Sequence, residues 1–272
     1  MLRVFRQSVG QVARALIMLT LGAAAFHYLV LLASSAFLGD APREAFENAP
    51  EFFSQPPEAV EAFLGGSVDF FTPAGWVASV MTHPITLAIF TGAALSVAAG
   101  AVAAEVERGT VDLVLARPVG RVRFLLGKAA ATVAAVTAVQ AGALAGVLVA
   151  TLTVARMDEI TLSELWRPFL GSWLLFVALG MVGLLLSARA SLRSRAIGMA
   201  VAAIVIWYFV NFIALLIDEV SGARYASPFY YFRAADFLSG KPIAVDAVAL
   251  AGVAGVALAI GLWWFSRRDL TR

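Results

Sequence analysis

Between Ala129 and Ala155 the chain reads AAATVAAVTAVQAGALAGVLVATLTVA, an apolar run without one charged residue. At about 1.5 Å of rise per residue, a helix of this length crosses a ~30 Å hydrocarbon core. A barrel strand would be about ten residues long and would alternate in polarity; this stretch does neither. Five further runs of the same character flank it: Ala15–Leu38, Trp76–Ala103, Pro168–Ser187, Ala196–Ile217 and Ala244–Phe265. A backbone in lipid must satisfy its own hydrogen bonds. The runs therefore predict an all-α polytopic membrane protein with six transmembrane helices in one domain.

Composition points the same way. Of 272 residues, 61% are hydrophobic and 14% charged, where a soluble domain carries about 25% charged residues. The mean hydropathy is +0.87. With no cysteine, disulfides, thiolate metal sites and cysteine catalysis are excluded.

The formal charge of +2 conceals a strong asymmetry among the 20 Lys and Arg residues. Arg3, Arg6 and Arg14 precede the first run, and Arg108, Arg117, Arg121, Arg123 and Lys128 follow the second. Arg189, Arg193 and Arg195 follow the fourth, and Arg267, Arg268 and Arg272 follow the last. The alternate connections hold only Arg43, Arg156, Arg167, Arg224, Arg233 and Lys241. Positive charge accumulates on the cytoplasmic side, so both termini are expected there, in the cell (inner) membrane. The first run is too long, and lacks a cleavage signal after it, to be a removable signal peptide.

Three connections carry their own pattern. In 1–14, Leu2, Phe5, Val9 and Val12 recur at three- and four-residue steps, leading to Leu16, with arginines elsewhere on the wheel. This predicts an N-terminal amphipathic helix lying in the cytoplasmic interface before the chain turns inward, the plainer alternative being an extension of the first span. The outer loop 39–75 is acidic, with Asp40, Glu44, Glu47, Glu51, Glu58, Glu61 and Asp69 against Arg43; it is a solvated face or a partner-binding one. The connection 218–243 contains SPFYYFRAADFLSGKP at Ser227–Pro242, whose aromatics and Pro/Gly punctuation suit short re-entrant helices in the outer interface. Small residues at four-residue steps, Gly92, Ser96 and Gly100, and Gly142 with Gly146, predict close helix approach.

The cytoplasmic elbow 104–128 includes EVERGTVDLVLARPVGRVRFLLGK at Glu105–Lys128. Gly109 and Thr110 make a break and N-cap before a short helix over Val111–Ala116, with Asp112 in its first turn and Pro118 as its stop. Apolar groups on a short cytoplasmic helix call for a cover, either a docked protein or the lipid surface. Neither Gly127-Lys128 nor Gly240-Lys241 completes the G-x-x-x-x-G-K-[ST] phosphate loop, so no ATPase is expected in this chain.

With its glutamates, Gly-Thr pair, apolar helix, Arg-Pro and later Gly-Lys, the elbow resembles that of the ABC-2-type permease family, the membrane subunits of one class of ATP-binding-cassette transporters. The SPFYYFRAADFL stretch and the closing FSRRDL at Phe265–Leu270 extend the likeness over nearly the whole chain. The resemblance implies a second permease copy, with contacts through spans one and five. It also implies a separate ATPase subunit binding ATP and Mg. Carried over by residue, Glu105, Glu107, Arg108, Gly109, Thr110 and Asp112 would form or brace the coupling helix, and Arg117 and Pro118 would end it. The acidic outer loop is outside the shared pattern.

Asp246, at the outer entrance of the last run, is the only charged residue within the six runs. Carboxylates near midplane mark ion-coupled transporters, and their absence argues for an outside energy source and against an intramembrane enzyme. His27, Gln140 and Asn211 are the polar candidates for a substrate pathway, each against the plainer reading of an interhelical hydrogen bond. His27 and His83, without carboxylate neighbours, make no metal site, and nothing suggests nucleic acid. The sequence therefore points to a permease subunit, an exporter by family leaning, surrounded by membrane lipid. The alternative is a non-transporting anchor or assembly protein acting through its acidic outer loop.

Overall fold

The computed structural model describes residues 1–38, 44, 69–109 and 120–268. Among them the regular structure is helical throughout, with no strand. The principal helices are α1 (Leu2–Ala33), α2 (Pro73–Thr82), α3 (Pro84–Ala98), α4 (Ala103–Glu107), α5 (Arg121–Thr153), α6 (Leu162–Arg189), α7 (Arg193–Leu216), α8 (Ala234–Leu238) and α9 (Ala244–Arg267). Five of them, α1, α5, α6, α7 and α9, are each long and apolar enough to cross a membrane, and the bent pair α2 and α3 makes a sixth when the two are counted as one span. The chain is a multi-pass membrane protein.

The second span departs from the expected continuous helix over Trp76–Ala103. It bends by 48° between α2 and α3, at His83. The cause is Pro84, which has no N–H to give and whose ring crowds the carbonyl four residues back, at Val80. The Thr86 hydroxyl donates to that Val80 carbonyl at 2.6 Å, and His83 Nδ1 accepts from the Ile85 amide at 3.2 Å. The break is thus internally satisfied, as lipid demands. The helix also stops at Ala98, short of Ala103, and a turn over 99–102 leads into α4.

At the N-terminus the extension reading is the one the backbone follows. α1 runs unbroken from Leu2 to Ala33, with no turn after Arg14. Its first turns rest on the start of α5, where a side chain at Gly127 would press on Val4 at 3.0 Å. Further along, a β-carbon at Gly142 or Gly146 would strike the backbone carbonyl of Thr20 or Ala24. The expected close approach is therefore real in the third span, and it seats α1 against α5. It does not extend to the second span: Gly92 has no neighbour within 4 Å, and Gly100 meets the side chain of Arg193.

α6 is the central post. Leu175, Phe176, Leu179 and Leu184 are all but fully buried, and the helix packs on α3, α5, α7 and α9. Phe90 of α3 stacks at 4.9 Å on Phe176. By contrast α7 and α9 turn most of their apolar side chains outward, among them Ile206, Phe209 and Ile213 on α7 and Val248, Val256 and Ile260 on α9.

The 218–243 connection forms two 3-10 segments, Asp218–Ala226 and Pro228–Tyr231, followed by α8. Ser227 ties them down, donating to the Trp207 carbonyl at 2.7 Å. Phe229, Phe232 and Phe237 are buried, and Gly171 on α6 leaves the space that the Phe237 ring fills. Asp246 is not alone in its span: it is buried and pairs with Arg233 at 3.1 Å, fixing the short helices to the start of α9. The greater part of the acidic outer loop lies outside the described residues.

Candidate functional site: a helix junction and an apolar groove

α3 ends one helical turn before α4 begins, which strands backbone amides in a buried corner. The Ser187 hydroxyl of α6 takes two of them, accepting from Val102 N at 3.0 Å and Ala103 N at 3.1 Å. One side chain thus fixes the root of the elbow to the central post. After three residues past α6 the chain reverses into α7, whose first amides have no partner within the helix. Glu107, the last residue of α4, supplies one: its Oε2 accepts from Arg193 N at 2.7 Å. A carboxylate there also meets the positive end of the helix dipole. The two contacts make α4 a strut between α6 and α7.

Glu105 points inward from the same strut. It is 7% exposed and lies 4.0 Å from Lys128 Nζ, itself 5% exposed. Arg108 Nε donates back to the Ala104 carbonyl at 3.0 Å. Gly109 then adopts φ +66°, a left-handed conformation that glycine enters without strain, and so ends the segment at the break its sequence marks. Thr110, Asp112, Arg117 and Pro118, with the helix expected over Val111–Ala116, lie outside the described residues.

The C-terminal arginines close the same face. Arg268 donates to the carbonyls of Ala188 and Ala190 at 2.7 and 3.0 Å, capping the open end of α6. Arg121 at the start of α5 donates to the carbonyls of Ser266 and Arg268. α5, α6 and α9 are therefore locked together at the end where α4 sits.

Along α3 and α7 runs a groove of about 530 Å³, lined among others by Leu87, Thr91, Gly92, Val201, Tyr208 and Phe209. Its walls are apolar apart from a few side-chain oxygens. Within it the Tyr208 ring meets Phe229 edge-on at 5.6 Å. The Tyr208 hydroxyl and Asn211 Oδ1, three residues apart on α7, are buried without a hydrogen-bond partner among the described residues.

The polar residues singled out by sequence are not brought together. His27 is buried on α1 and its Nδ1 lies 2.8 Å from the Ala23 carbonyl, an arrangement in which the ring donates to its own helix. Gln140 on α5 donates to the Phe169 carbonyl of α6 at 3.0 Å, the interhelical role weighed for it. Asn211 lies on α7. None of the three lines the groove. The lining residues themselves escaped sequence reading because an apolar side chain facing a groove and one facing lipid look alike. Gly92 was the available signal, a small residue that no neighbouring helix fills.

A family model described as ABC-2 family transporter protein matches residues 14–270 of the chain. No curated protein matches it.

Proposed function

Since the chain belongs to the ABC-2 transporter family, we propose that it is the permease subunit of an exporter, working as a dimer and driven by separate ATPase subunits. The observation that supports this most directly is the strut. α4 leads into the elbow, is held to α6 by Ser187 and grips the first turn of α7 through Glu107. α7 in turn forms one wall of the apolar groove. A push on the elbow by a docked ATPase would be delivered to the groove wall along this path. The spans carry no carboxylate besides the ion-paired Asp246, which fits energy entering from the cytoplasmic side rather than from an ion gradient. A groove of this character suits an amphipathic cargo with a large apolar surface. In this reading ATP and Mg are bound by the partner, and Thr110, Asp112, Arg117 and Pro118 complete the coupling surface.

The test is purification of the tagged chain in mild detergent from its native host, with identification of co-purifying proteins and assay of vanadate-sensitive ATP hydrolysis. A stoichiometric ATPase whose activity requires the chain is the expected result. A preparation that stays alone and silent after gentle cross-linking would sink the proposal and return attention to the anchoring alternative.

A further inference from the structure

On the cytoplasmic side a second, polar cleft of about 210 Å³ opens between the first turns of α1, the α3–α4 turn, the start of α5 and the start of α7. Its charged lining is Glu105, Arg108, Lys128 and Arg193, three cations to one carboxylate. Lys128 is 5% exposed, and its ammonium, which carries three donors, makes no hydrogen bond to any described residue. It lies at the 4.0 Å limit of an ion pair with Glu105 and 5.4 Å from the Phe124 ring centre. Among the described residues Arg108 gives only its Nε, to Ala104. The Arg193 side chain lies across Gly100, where a β-carbon would come within 3.3 Å of its Nε. Among the described residues no carboxylate pairs with Arg108 or Arg193.

We infer that this cleft binds a phosphate group, held between the Arg108 and Arg193 guanidiniums above the Lys128 ammonium. Guanidinium forks match phosphate oxygens geometrically. A buried ammonium with unfilled donors is costly until an anion reaches it. Lys128 stands just before the apolar run that opens at Ala129, and Arg193 just before the one that opens at Ala196; at such a boundary on the cytoplasmic side, basic pockets between helices take anionic lipid headgroups. The phosphate of an inner-leaflet anionic phospholipid is therefore the favoured source over a free phosphate. The site is independent of what drives or crosses the protein.

The experiment is native mass spectrometry of the full chain with phosphatidylglycerol or phosphatidylcholine, alongside thermal unfolding in nanodiscs of each lipid. The native chain is expected to retain phosphatidylglycerol preferentially. The R108Q/R193Q pair should weaken that retention about thirtyfold, and R193Q alone about fivefold. R193Q keeps the backbone amide that Glu107 accepts, so it serves if the double variant does not fold. The pair R3Q/R6Q removes as much charge elsewhere on the same face and should retain the lipid. Stabilisation of the native chain but not of R193Q by inorganic phosphate in phosphatidylcholine discs, without lipid preference, would assign the site to free phosphate. Equal retention in native and R193Q chains with no phosphate effect, or equal loss in R3Q/R6Q, would overturn the inference.

Discussion

At the scale of single residues, two side chains carry the link between the elbow and the bundle, and they differ in what their loss should cost. Ser187 is buried and satisfies two amides that have no other partner among the described residues. Ser187→Ala strands both, and an unsatisfied buried donor costs about 1–3 kcal/mol. We predict a clear fall in the unfolding midpoint in detergent, with ATPase docking unchanged in the fraction that stays folded. Glu107 is exposed, so its cap on α7 should contribute only about 0.5 kcal/mol to stability. Its expected role is mechanical: Glu107→Gln should leave the unfolding midpoint nearly unchanged while lowering cargo transported per ATP hydrolysed. A Gln variant with full coupling would remove the strut from the proposed mechanism. In the sequence both glutamates appeared as parts of one cytoplasmic motif. That one is buried beside Lys128 and the other meets α7 depends on a partner 86 positions further along the chain, which local pattern does not reveal.

Among the elements, the pairing of α1 with α5 and the break in the second span were legible to different degrees. Gly142 and Gly146 announced close approach, and α1 lies on them. Gly146→Val should force the helices apart; overpacking of this kind costs about 1–3 kcal/mol, and reduced thermal stability of the purified chain would measure it. The bend at His83 was readable from Pro84 in principle, yet hydropathy treats the segment as one run because a single histidine and two threonines among apolar neighbours leave the average over a span-length window high. The Thr86 hydroxyl bond to Val80 makes the bend stable. Pro84→Ala should let α2 and α3 align, narrow the groove that Pro84 itself lines, and cut transport with little loss of fold. Retained transport in that variant would show the bend to be incidental. The first fourteen residues belong to the same scale: their wheel allowed two readings, and packing of Val4 on Gly127 is what extends α1 to the start.

For the whole molecule, α7 and α1 present unburied apolar faces, Ile206 and Ile213 on one and Ile17, Met18 and Leu21 on the other. Lipid can cover such faces, and so can a second copy. The natural absence of cysteine makes the distinction direct, since a single introduced thiol is the only one in the chain. Under the proposed dimer, Ile206→Cys should cross-link two copies in native membranes, whereas Val256→Cys on α9 should not. Cross-linking at neither position, with ATPase bound, would argue against contact through this face. The sequence by itself determined the membrane class, the apolar segments and the family pattern, because hydropathy and short motifs act over neighbouring residues or against the solvent. Only the tertiary structure decided which carboxylate faces which helix, where the groove runs and what caps each break. These are contacts between residues far apart in the chain, and in lipid an apolar side chain gives the same sequence signal whether it faces a neighbour, a cavity or the bilayer.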